Sequence, residues 1–248
     1  MRGVALQPAY ILHRRPYRNT SLLLEVFSRD HGRIGVVARG ARQSRQKGIL
    51  QSFIPLWLSW SGRSDLVTLT KAEEASAAHP LPPERLLSGL YVNELVLRLS
   101  QRCDPNPKLF ENYEGVLRDL AGATGEEPAL RLFEKRLLAL LGYGLWLDTE
   151  ALTNAPIEPD GLYRYVIDQG PIVADQIHAG VGIPVSGKSL IALRLETLDD
   201  PLVLSDVKRL TRAAIGLQLQ GRPLKTRQFL LGERRRRERA EQLAGRHC

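Results

Sequence analysis

Cysteine is nearly absent: only Cys103 and Cys248 stand in the 248 residues. Two distant cysteines exclude a disulfide framework and an all-cysteine zinc site, and they fit a reducing compartment. No apolar run approaches the roughly 20 residues that cross a bilayer. The N-terminus, MRGVALQPAYILHRRPYRN, lacks the apolar length and the small-residue cleavage site of a signal peptide. The five histidines are scattered, with no H-E-x-x-H or other metal-ligand spacing, and there is no G-x-S-x-G elbow. Glu73–Glu74 and Asp199–Asp200 are acidic pairs, but adjacent side chains point apart. A cytoplasmic chain with no membrane segment, metal, cofactor or catalytic residue is expected.

What is present is positive charge, unevenly placed. Residues 1–80 carry 12 Lys+Arg against 5 Asp+Glu, residues 81–221 carry 14 against 19, and residues 222–248 carry 9 against 3. The net +8 therefore sits at the two ends around an acidic middle. Such asymmetry points to a polyanion partner more strongly than the total does.

The pattern of apolar residues changes along the chain. Thr20–Ser28, Arg33–Arg39, Phe53–Trp60 and Asp65–Glu73 are short, rich in β-branched or aromatic residues and separated by Gly and polar groups. With VALQPAYILH they make about five strands, which a small closed antiparallel barrel accommodates without exposed edges. HPLPPERLL then disfavours further sheet, and Pro83 suits the first turn of a helix. Beyond it, Leu109, Phe110, Tyr113, Val116, Leu117 and Leu120 form a helical stripe, repeated by Leu130, Phe133, Leu137 and Leu141. Further helices are expected at about 189–198, 205–220 and 224–243, the second entered through a Ser205 cap. The fold class is α+β. A barrel over 1–78 precedes an all-helical domain over 79–248, which carries a basic C-terminal tail and an irregular insertion at about 148–188. Leu162–Asp168 is a candidate strand in that insertion.

One motif competes for attention. GIPVSGKS, Gly182–Ser189, fits the G-x-x-x-x-G-K-[ST] phosphate loop. Its surroundings do not: VADQIHAGV is no buried strand, and no apolar strand ending in a magnesium-binding Asp follows. Gly182, Pro184 and Gly187 read instead as turn residues, with Ser186 or Ser189 starting the next helix and Lys188 exposed. A phosphate-loop ATPase through Gly182–Ser189 remains an alternative function.

The basic stretch GRIGVVARGARQSRQKGILQ is more informative. Arg33, Arg39, Arg42, Arg45 and Lys47 cluster around one strand and the loop after it, and HRRPYR adds Arg14, Arg15 and Arg18. Guanidiniums laid along a loop can neutralise a phosphate backbone and release its counterions. Phe53, Trp57 and Trp60 fit core or sheet packing better than base stacking.

AYILHRRPYRNTSLLLEVFSRDHGRIGVVARGARQSRQKGILQSFIPLWLSWSGRSDLVTLTKAE closely resembles the N-terminal domain of the RecO family of bacterial recombination mediators and DNA repair proteins. LRLFEKRLLALLGYG and GRPLKTRQFL continue the resemblance, so that it covers nearly the whole chain. It implies an OB-fold followed by helices, binding to single- and double-stranded DNA, and annealing of complementary strands by a nucleoid-associated protein. It further implies cooperation with RecR, and in many bacteria RecF, to load RecA onto DNA coated by single-strand DNA-binding protein. The acidic, apolar-tipped tail of that protein would be bound through the helical domain. Arg131 and Arg136, flanking Phe133 and Leu137, together with Lys225 and Arg227, are the candidates for that contact. Some members hold zinc with four cysteines in the segment matching 148–187. This chain has none there, so zinc should be absent and packing alone should hold the segment. A mainly protein-bridging adaptor is the other alternative.

Overall fold

In the computed structural model the described residues are 3–44, 47–62, 66–75, 80–122, 125–178 and 180–229. Five strands, β1 (Gly3–Tyr17), β2 (Ser21–Ser28), β3 (Gly32–Ala38), β4 (Leu56–Ser61) and β5 (Leu66–Glu74), close into a barrel of order β1-β2-β3-β5-β4. All pairs are antiparallel except β3 with β5, whose parallel register, Gly35 to Leu66 and Val37 to Thr68, shuts the cylinder. This is the OB-like barrel the sequence led us to expect. Its interior takes the alternate apolar residues of the strands, among them Ile11, Leu24, Val26, Val36 and Leu58. Ala41 and Leu50, from the long β3–β4 connection, are fully buried in the same cluster. That connection is therefore an apolar plug on the barrel's end that keeps its charged residues outside.

The other face of β1 and β2 is equally apolar. Tyr10, Leu12 and Phe27 pack outward into the core of the helices. A 3₁₀ turn at Pro83–Arg85 leads into α1 (Leu86–Leu99), followed by α2 (Pro107–Ala121) and α3 (Glu126–Leu140). The six-residue stripe read from the sequence of α2 is its buried face, residue for residue. Phe110 and Tyr113 of that stripe meet the rings of Tyr10 and Phe27 at 5.1–5.8 Å between centroids. Asn93, buried on α1, bridges the two halves: its amide donates to the Leu12 carbonyl at 2.9 Å and its oxygen accepts from Tyr113 Oη at 2.7 Å.

The segment 148–188, expected to be irregular, instead carries a three-stranded antiparallel sheet: β6 (Leu162–Val166), flanked by β7 (Gly170–Val173) and β8 (Ile183–Ser186). Nor does packing alone hold it. The buried Glu150 carboxylate accepts from the amides of Leu152 and Thr153, at 2.9 and 2.6 Å, and from the Thr153 hydroxyl. Then come α4 (Gly187–Leu195) and α5 (Pro201–Gln218), which close a separate core over that sheet. α5 starts four residues before the expected Ser205 cap, because Asp200 caps it and Pro201 fills the first turn. Residues 225–229 are helical; the rest of the expected last helix lies outside the described residues. No described helix is long and apolar enough to cross a membrane.

Candidate nucleic-acid interface and partner pocket

The two basic segments, some 25 residues apart in sequence, meet at one end of the barrel. Strand register places Pro16 opposite Leu22 and Leu22 opposite Ala38, so the β1–β2 turn lies beside the start of the β3–β4 connection. Arg42 ties them together: its amide donates to Thr20 O at 2.9 Å and its Nη1 to Asn19 O at 2.9 Å. Arg14 reaches from β1 to the plug, donating Nη1 to Leu50 O at 3.0 Å. Carbonyl acceptors do not cancel charge. Arg14, Arg15, Arg18, Arg39, Arg42 and Lys47 are all exposed, and among the described residues none of them has a carboxylate partner. The result is an uncompensated cationic rim. Arg45 lies outside the described residues.

Arg33 does not join the rim. Its Nη2 donates to Ser100 O at 3.0 Å and it pairs with Glu25 at 3.5 Å, with only 15% of its side chain exposed. Burial pushes its pKa down, and Arg102 adds to that. Arg102 also pairs with Glu25, and the Cys103 amide donates to Arg33 O. Gly32, at φ +64°, lets the β2–β3 turn come so close that a Cβ would sit 2.2 Å from Asp104 O. The outward face of β2 and β3 is where barrels of this kind commonly engage oligonucleotides. Here half of it is covered by the chain's own helices and the 100–104 segment. The assignment of Arg33 to a DNA surface is corrected for that reason. Trp60 is buried in the barrel with His31 edge-on to it. Trp57 is 38% exposed, in a row with Pro8 and Glu73.

A second feature was not foreseen. A pocket of about 580 Å³ opens between α1, α3, α5 and residues 221–228. Leu87, Leu130, Ile215, Leu219 and Leu224 give it apolar walls, and Arg131, Lys208, Arg212, Arg222 and Arg227 give it cations. The Arg212 pKa is lowered, by burial first and then by repulsion from Arg227 and Arg131, so these guanidiniums crowd one another. Burial would raise the Glu127 carboxyl, but hydrogen bonding from Lys208 and the charges of Arg131, Lys208 and Arg212 hold it below its ordinary value. Of the residues expected to bind a partner's tail, Arg131 and Arg227 line this pocket. Phe133 does not: at 1% exposure it is core, so the apolar side of the site belongs to other residues. Arg136 is engaged elsewhere by Glu196. Lys225 presents only its amide, donated to Glu94 at 2.8 Å. Lys208, Arg212 and Arg222 were missed because the pocket's walls come from distant segments.

GIPVSGKS is occupied backbone. Gly187 N donates to Gly161 O at 2.8 Å and Lys188 N to Pro159 O at 2.9 Å, so these amides have no bond to offer a phosphate. Ser186 caps α4, the Ser189 hydroxyl donates to Asp206 at 2.9 Å, and Lys188 pairs with Asp200 at 2.6 Å. Gly187 is required by crowding, since a Cβ there would lie 1.8 Å from Glu158 O. Among the described residues no group of His, Cys, Asp and Glu side chains is placed to hold a metal ion.

Comparison with known proteins follows the same division of the chain. A family model described as recombination protein O N terminal matches residues 1–77, and one described as recombination protein O C terminal matches residues 82–228. Relatives named DNA repair protein RecO include that of Methylococcus capsulatus, 47% identical over 229 residues, which cover 91% of this chain and 93% of the relative. That of Nitrosococcus oceani is 47% identical over 231 residues, covering 92% and 93%. That of Coxiella burnetii is 45% identical over 230 residues, covering 92% and 98%.

Proposed function

The chain belongs to the RecO family, whose work is DNA repair and recombination, and on that premise we propose that it is a noncatalytic mediator that binds and anneals DNA. The barrel, residues 1–78, is the DNA-binding unit, and residues 79–248 carry the partner site. The observation that carries this reading is the rim, where two basic segments are tied into one surface without carboxylates to neutralise it. Phosphate backbones laid on such a surface release counterions and repel each other less, so that two strands can approach. Base pairing then supplies the sequence selectivity, and no bond in the DNA needs to break.

The cation-walled apolar pocket is the receptor for the acidic, apolar-tipped tail of single-strand DNA-binding protein. A terminal carboxylate and an aromatic side chain call for a cation beside an apolar cavity. Through this contact the chain is brought to coated DNA, where with RecR, and RecF where present, it helps RecA to load. A mainly protein-bridging adaptor is the second reading, favoured by the same pocket. The discriminating experiment is annealing of complementary oligonucleotides by the isolated chain, bare or coated with single-strand DNA-binding protein or its tail-deleted form. The mediator anneals bare strands, anneals coated strands, and loses the second activity with the tail-deleted coat. No annealing of bare strands would leave only the adaptor.

A further inference from the structure

Beneath the pocket lies a buried polar cluster that packing does not explain. Glu134, on α3, has no exposed surface. Its carboxylate accepts from Tyr91 Oη at 2.5 Å, from Thr211 Oγ1 at 2.5 Å and from Arg131 Nη2 at 2.9 Å. Arg131 is 2% exposed, yet its Nε and Nη1 have no hydrogen-bond partner among the described residues. The nearest further carboxylate, Glu127, is 3.9 Å from Nε and already held by Lys208. A buried guanidinium with two idle nitrogens is costly. Glu134 could relieve that cost by turning more of its oxygen toward Arg131, but the hydroxyls of Tyr91 and Thr211 occupy those lone pairs.

We propose that Glu134, held by Tyr91 and Thr211, is a positioning residue: it anchors Arg131 by one nitrogen at the pocket wall and leaves its charge under-neutralised, for the terminal carboxylate of a ligand. The proposal rests on the reading of the pocket as a tail receptor. The two hydroxyls act as keepers. Without either, Glu134 competes for the guanidinium, neutralises it and draws it away from the pocket. Apolar recognition by the walls is not involved.

The test uses the full chain and a fluorescent synthetic peptide of aspartates ending in phenylalanine, made once with a free C-terminal carboxylate and once amidated. The parent chain prefers the free carboxylate by about tenfold or more. Thr211→Val and Tyr91→Phe, each alone, lower that preference to about threefold or less, while affinity for the amidated peptide stays within about twofold. Thr211→Ser, which keeps the hydroxyl, restores the preference. Two variants on different helices guard against one that folds poorly. Full preference retained in both, or equal weakening of both peptides as mere destabilisation produces, overturns the positioning role. A parent chain that binds the two peptides equally removes the pocket reading, and the positioning role with it.

Discussion

Salt dependence separates the rim from the other arginines of the barrel. Arg15, Arg18, Arg39, Arg42 and Lys47 are exposed at one end of it, without carboxylate partners among the described residues. If each neutralises one phosphate of a single strand, the slope of log affinity against log salt is about −3.5, at roughly 0.7 per contact. Raising salt from about 50 to about 200 mM then weakens binding roughly 130-fold. Arg15→Ala with Arg39→Ala leaves three contacts, a slope near −2.1 and a loss of roughly 20-fold over the same range. Neither side chain makes a recorded internal hydrogen bond, so the melting temperature should hold. Arg33→Ala is the contrasting perturbation. It removes a half-buried guanidinium bonded to Ser100 O and paired with Glu25, at a cost of about 1–3 kcal/mol in stability. It leaves the slope intact. Fluorescence anisotropy of a labelled oligo-dT over a salt series, with a thermal melt of each variant, reads both quantities. A slope reduced by Arg33→Ala and untouched by the double variant would refute this division of labour.

Two further outcomes follow from side chains away from the rim. Gly187→Ala must push its Cβ away from Glu158 O, so the melting temperature falls by the equivalent of about 1–3 kcal/mol or more, whereas Lys188→Ala, losing one surface ion pair, melts close to the parent; a phosphate loop would tolerate the fold change at Lys188 and lose nucleotide hydrolysis. Acid should destabilise the chain through Glu196 and Glu94. Hydrogen bonding from Arg136 lowers the pKa of Glu196; burial would raise that of Glu94, but the Thr226 and Lys225 amides, the Thr226 hydroxyl and Arg98 outweigh it. A depressed folded-state pKa means stability fully present above the ordinary glutamate value, about 4.3, and lost as pH falls below it. Melting temperature should therefore be flat from about pH 7 to 5 and drop below about 4.5, less steeply in Glu94→Gln.

The barrel and α2 were legible because each has a strong period: alternation in Leu22–Phe27, and an i, i+3, i+4 stripe through Leu109–Leu120. The sheet in 148–188 was not. Its strands have four or five residues, too few to show alternation, and β8 pairs across some 20 residues of intervening chain. The basic rim was legible as charge, but which arginines belong to it was not. Arg33 and Arg39 look equivalent in sequence; only docking of the 100–104 segment distinguishes them. Arg131 poses the same difficulty in reverse. A charge between Leu130 and Phe133 reads as surface, and its burial depends on Tyr91 and Thr211 arriving from two other helices.

The boundary near residue 78 divides the sequence more cleanly than it divides the energy. Leu12 and Phe27 belong to barrel strands but lie at 2% and 1% exposure in the core built by the helices. Exposing such side chains costs about 1.5–3 kcal/mol each, and a barrel cut away from its helices would also leave the Leu12 carbonyl without the Asn93 donor. The same shared core bears on function. β1 runs from this core directly into the rim: Leu12 packs against the helices, and Arg14 and Arg15 stand two and three positions further on. On the helical side, α1 contributes Asn93 to the junction and Leu87 and Tyr91 to the pocket. One strand and one helix, joined through a buried hydrogen bond, thus connect the two surfaces with no flexible linker between them. A chain that must hold a partner's tail while laying the DNA released by that partner onto its barrel gains from such rigidity. The tail then presents its own DNA at a fixed distance from the rim, which raises local concentration without a conformational change.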